Sequence, residues 1–83
     1  MPPVSQTDDV LVLALMRRLV SDGSARALRE QAGLSLSDVA RAIDTSPTTI
    51  WRYERGRRPH GDVAQRYARL LAQLADLQLS AVG

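Results

Sequence analysis

The chain has 83 residues, a formal charge of +2, no cysteine, and eleven basic residues, every one an arginine. A chain this short builds one hydrophobic core, so two domains are excluded, and without cysteine neither a disulfide framework nor a thiolate metal centre can form. The longest apolar run, Val10 to Met16, is too short to cross a bilayer; Met1-Pro2-Pro3, followed by Asp8 and Asp9, lacks the basic leader of a secretory signal, so a cytoplasmic location is expected.

Residues 1–6 read as extended or unstructured. Thr7 is placed to cap a first helix over 7–21, with Asp8 and Asp9 favouring its positive end. That helix runs through Val10, Leu11, Val12, Leu13, Leu15, Met16, Leu19 and Val20, apolar around most of its circumference. A helix of this kind is buried on two sides, and in so small a chain one side is expected to meet another subunit. Ser24 is expected to cap the next helix, over Ala25 to Ala32, with Leu28 and Ala32 toward the core and Arg26–Glu30 as an exposed i,i+4 pair.

Two short helices follow. Ser35 caps the first, over 36–43, with Asp38 as its acidic capping-box partner. Val39, Ala40 and Ile43 share one face of it. Asp44-Thr45-Ser46 leaves room only for a sharp turn. Ser46 caps the second helix, over 47–55, and Pro47 sits where its missing N–H is harmless. Ile50 and Tyr53 point inward, and Gly56 ends the helix. After a loop that contains the lone His60, a last helix over 62–79 carries Val63, Tyr67, Leu70, Leu71, Leu74 and Leu77 at spacings of three and four. Leu74, Leu77 and Leu79 are expected to need a partner, the N-terminal helix being the nearest candidate. The reading is all-α, with about five helices.

Two helices joined by a tight turn, with an arginine-rich exit, form a helix-turn-helix suited to lie on DNA. Arg52, Arg55, Arg57, Arg58, Arg66 and Arg69 crowd the segment after the turn, opposed there by Glu54 and Asp62. An arginine run is often only a solvated face; beside this motif, phosphate contact is the better reading. Thr48, Thr49, Trp51, Arg52 and Arg55 occupy the outward face of the second helix. Trp51 is a quarter-turn from Ile50, about 100°, and is read as facing DNA. Phosphate contacts are expected from Arg55, Arg57 and Arg58, and from Ser37 or Arg41 on the preceding helix. His60 is read as a loop residue near phosphate.

The stretch Leu28-Arg29-Glu30-Gln31-Ala32-Gly33-Leu34-Ser35, then Val39-Ala40 and Ile43, then Ser46, Ile50 and Tyr53-Glu54-Arg55-Gly56, resembles the helix-turn-helix family of phage repressors, Cro proteins and Xre-type regulators. The match in identity and spacing covers roughly residues 24–71. The resemblance implies a compact repressor-like helical domain, to which this chain adds the apolar N-terminal helix and the long C-terminal helix. It implies base contacts from Pro47, Thr48, Trp51 and Arg52, and a partly buried Arg29–Glu54 pair. Two positions depart from the family pattern. Leu36 stands where the family often has a phosphate-bonding Gln, and Asp44 where the turn often starts with Gly.

The expected protein is a sequence-specific double-stranded-DNA-binding regulator of Cro or repressor type. It is expected to form a homodimer through its N- and C-terminal helices on a palindromic operator, in the cytoplasm of a bacterial or phage-infected cell. The alternative is an antitoxin-like interaction module on the same fold. No catalytic group, metal or cofactor is expected: the serines cap helices, the carboxylates stand at helix starts or in pairs, and no glycine motif cradles phosphate.

Overall fold

A computed structural model describes the backbone of residues 4–82 and the side chains of residues 10–80. Five helices follow one another: α1 (Val4–Ser21), α2 (Ser24–Gln31), α3 (Leu36–Ala42), α4 (Pro47–Glu54) and α5 (Gly61–Val82). No strand occurs among the described residues.

The first helix starts earlier than its cap signal suggested. Thr7 is an interior position of α1, and residues 4–6 are helical rather than extended. Val4-Ser5-Gln6 contains no residue that breaks a helix, so the acidic pair downstream did not set the boundary. The side chains of Thr7, Asp8 and Asp9 lie outside the described residues. Ser24 is likewise not a cap but the first residue of α2. Its backbone N–H donates to Asp22 Oδ1 at 2.9 Å, so the carboxylate two residues upstream satisfies the exposed end. The two Ser24 hydrogen bonds, with help from Arg18, hold the Asp22 carboxyl below its ordinary range.

Ser35 and Asp38 form a complete capping box. Asp38 N–H donates to Ser35 Oγ at 3.0 Å and Ser35 N–H to Asp38 Oδ2 at 2.9 Å. These bonds hold the Asp38 carboxyl below its ordinary value. A carboxyl whose folded pKa is depressed adds stability above its unfolded pKa, and that stability is lost as pH falls through the folded value. Ser35→Ala is expected to cost about 1 kcal/mol near neutral pH. In thermal melts the gap between mutant and parent should narrow on acidification below the usual carboxylate range.

All five helices feed one core. Met16 and Val20 come from α1, Ala25 from α2, and Val39, Ala40 and Ile43 from α3 and its end. Ile50 and Tyr53 come from α4, and Ala64, Tyr67, Ala68, Leu71 and Leu74 from α5. The largest fully enclosed side chains are Tyr67, Met16, Ile50 and Leu71. Each gains roughly 1.5–3 kcal/mol over leaving it in water. The most extensive packing is between α1 and α5, so the helices outside the helix-turn-helix pair brace each other and hold α2 between them. Leu74 is thereby buried within the chain and needs no partner subunit. Leu77 and Leu79 remain exposed, as do Val10, Leu11 and Leu15 on α1. The rings of Tyr53 and Tyr67, with centroids 5.2 Å apart, tie α4 to α5. Burial pushes the Tyr67 phenol well above its ordinary pKa, and the nearby Glu54 carboxylate adds to the effect.

Candidate nucleic-acid interface

Three features hold α3 and α4 in place. The first is the turn. Asp44 N–H donates to Arg41 O at 3.3 Å and Thr45 N–H to Ala40 O at 2.8 Å, the paired closure of a Schellman motif. The residue at its centre must take positive φ, and Asp44 does so at 58°. The side chain is exposed, so its replacement tests the backbone alone. Asp44→Gly is expected to leave stability unchanged or raise it by up to ~1 kcal/mol, and Asp44→Val to lower it by about 1–2 kcal/mol. Denaturant titration of the pair would check the order. Arg66 secures the same turn from α5, its Nε donating to Ile43 O at 2.8 Å. Arg66 is therefore a structural clamp rather than a member of the free arginine cluster.

The second feature is Arg29. Its Nε and Nη2 reach the two carboxylate oxygens of Glu54, and its Nη1 donates to Leu34 O at 2.9 Å. The side chains are 13% and 3% exposed. One guanidinium thus fastens the loop before α3 to the last residue of α4. The Glu54 hydrogen bonds raise the Arg29 pKa above its ordinary value. By contrast, Arg26–Glu30, at 3.3 Å, is a solvent-exposed pair of the kind that contributes little.

The third feature is the end of α4. Ser46 Oγ accepts Thr49 N–H at 3.2 Å and bonds the Thr49 hydroxyl at 2.8 Å. Thr49 is half-buried, so its hydroxyl serves the helix start. At the other end Gly56 N–H donates to Tyr53 O and Arg57 N–H to Arg52 O, both at 3.0 Å. Gly56 takes φ of 100°, which a side chain would oppose. This closure folds the chain back, so that Arg57 and Arg58 stand beside Arg52 instead of trailing away.

The residues singled out in the sequence fall into three neighbouring patches around α4. Arg52, Arg57, Arg58 and His60, with Thr49 and Tyr53, line a cup of about 200 Å³. No carboxylate pairs with Arg52, Arg57 or Arg58 among the described residues. Of the two acidic residues nearest in sequence, Glu54 is committed to Arg29, and Asp62 borders a neighbouring depression with Arg58 but does not line the cup. Three arginines lining one cup that contains no carboxylate form an anion-seeking surface. On the other side, exposed Ser37 and Arg41 border a depression with Asp44 and Pro47. Between them, Pro47, Thr48 and Trp51 meet Leu36 in a shallow apolar depression. Trp51 is 44% exposed, and Arg55 lies over its ring with the guanidinium carbon 3.8 Å from the centroid. Arg55, expected at phosphate, thus stacks on Trp51, a contact that the i,i+4 spacing signals.

An exposed helix face set on a tight turn and flanked by unpaired cations defines a small helical nucleic-acid-binding module. The model of a family described as "Helix-turn-helix domain" matches residues 24–79, more than half of the chain, and the protein belongs to that family. Membership is in keeping with the Xre-type resemblance and marks a DNA-binding regulator. Neither the curated proteins nor the solved structures yielded a significant match. Among the described residues no helix is long and apolar enough to cross a membrane, and no group of three or more His, Asp or Glu residues is placed to hold a metal ion.

Proposed function

We propose that this protein is a sequence-specific transcriptional regulator of Cro or repressor type, which binds double-stranded DNA as a homodimer at a palindromic operator in the bacterial or phage-infected cytoplasm. The observation that carries the reading is the convergence of Arg52, Arg57 and Arg58, without carboxylate partners, beside the outward face of α4. The N-terminal half of α4 enters the major groove. Pro47, Thr48, Trp51 and Arg52 meet base edges, and the Arg52 guanidinium can donate two parallel hydrogen bonds to guanine O6 and N7. Arg57 and Arg58 take phosphates on one side of the groove, Ser37 and Arg41 on the other, with the charge of Arg55 between them.

One such helix contacts only a few base pairs. Twofold pairing doubles the site and sets the half-sites about one turn, ~34 Å, apart. The exposed residues on α1 and at the end of α5, Val10 at 64% and Leu79 at 73% among them, supply an apolar surface for that pairing. The same surface favours a second reading, in which an antitoxin-like module uses it to cover a protein partner. Mass in solution separates the two: a stable homodimer alone supports the first, and a monomer that pairs only with a neighbouring gene product supports the second. Selection of bound duplexes from a random pool tests the main proposal. A palindromic consensus is expected, and enrichment of no sequence would overturn it.

A further inference from the structure

The apolar depression formed by Leu36, Pro47, Thr48 and Trp51 sits on the part of α4 assigned to the groove, yet no side chain in it can donate a hydrogen bond except the Thr48 hydroxyl and the Trp51 indole N–H. No carboxylate lines it. Leu36 is half-buried at the start of α3, so its exposed part forms one wall. Trp51 forms another wall, and the Arg55 guanidinium, which does not line the hollow, stacks on its ring and restricts it. An apolar hollow whose Trp51 wall carries a stacked guanidinium suits an apolar group carried by a polyanion. In the major groove the apolar group is the methyl at C5 of a pyrimidine.

We infer that this hollow receives a pyrimidine C5 methyl group, making Leu36 and Trp51 specificity-determining residues for a methylated position in each half-site. The inference rests on the proposed entry of α4 into the major groove. Its ligand chemistry is shared by thymine and 5-methylcytosine. Leu36 then has a positive role: where a phosphate-bonding side chain is absent, an apolar wall is gained. Arg55 acts through Trp51 as a positioning residue.

The test uses the full chain and the duplex recovered from a random pool. Each thymine is replaced in turn by uracil, which removes only the methyl, and each cytosine by 5-methylcytosine, which adds one. At one symmetric position, uracil should weaken binding about fourfold, or 5-methylcytosine should strengthen it about fourfold, as expected for one methyl-sized group removed from water. The first result identifies thymine as the source and the second 5-methylcytosine. Trp51→Ala and Leu36→Gln should each abolish that sensitivity along with part of the affinity for the parent duplex, and thermal melts confirm that each variant folds, since Leu36 packs partly against the core. Affinity indifferent to both base changes overturns the inference and leaves the DNA-binding proposal standing. Sensitivity that survives in both variants places the methyl elsewhere and also overturns it. Failure to bind any duplex removes the DNA-binding proposal itself, and this inference with it.

Discussion

Glu54→Ala is expected to destabilise the fold by up to about 3–5 kcal/mol, the range for removing one member of a buried ion pair, this pair being part-buried. The parent geometry explains the size. Two guanidinium nitrogens of Arg29 bond the Glu54 carboxylate and a third bonds Leu34 O, in a site where Arg29 is 13% exposed and Glu54 3%. Without the carboxylate, a charge that cannot be shed is left in a poorly hydrated place. The raised pKa of Arg29 means that its protonated form is favoured by folding. The stability it contributes is fully present below the unfolded arginine pKa and is lost only as pH rises through the folded value, far above the working range. Total stability for a chain this size is roughly 5–10 kcal/mol, so the variant should be largely unfolded in modest denaturant. The double change Arg29→Met with Glu54→Leu should recover most of the loss, because it removes both the charges and their desolvation cost. Urea titrations of parent, single and double variants check this. A single-variant loss below about 1 kcal/mol, the range of exposed pairs, would show that the pair does not brace the motif.

The second large effect concerns binding. Arg57→Ala should weaken association with every duplex by a similar factor and lower the slope of log K against log salt by about one. Arg52→Ala should cost about 1–3 kcal/mol at one guanine and relax the preference there, with a smaller change on unrelated duplexes. The two side chains line the same cup, and the Arg57 amide is bonded to the Arg52 carbonyl, so the sites are neighbours. The proposed roles follow from their origins: Arg52 springs from the helix face, and Arg57 from the reversed chain beyond Gly56. Titrations of specific and unrelated duplexes at several salt concentrations distinguish them. Equal loss of specificity in both variants would refute the division of labour.

The helix-turn-helix was legible because local signals coincide there. The caps at Ser35 and Ser46, the proline at position 47 and the glycine at position 56 each act within one helical turn, and such effects can be read from neighbouring residues. Three features were not legible, for different reasons. Ser24 is not the cap because its own N–H bonds the Asp22 carboxylate two residues upstream, which meets the helix start from outside and makes Ser24 the first helical residue. Arg66 looked like one more surface cation, because its acceptor, the Ile43 carbonyl, is a backbone group 23 positions away that only the fold brings near. The N-terminal helix was the expected partner of α5, but how far the pairing reaches is a tertiary quantity: Leu74 is buried, whereas Leu77 and Leu79 stay exposed. The Arg55–Trp51 stack was within reach of sequence reasoning, but charge count drew attention to phosphate instead.

The central claim is that the outward face of α4 occupies the major groove of duplex DNA. Methylation interference on the selected duplex tests it most directly, since dimethyl sulfate marks guanine N7 in the major groove and adenine N3 in the minor groove. Premethylation at guanine N7 within two symmetric half-sites should block binding, and the guanine block should vanish selectively in Arg52→Ala. Interference confined to adenine N3, or retention of every methylated duplex alike, would contradict the account.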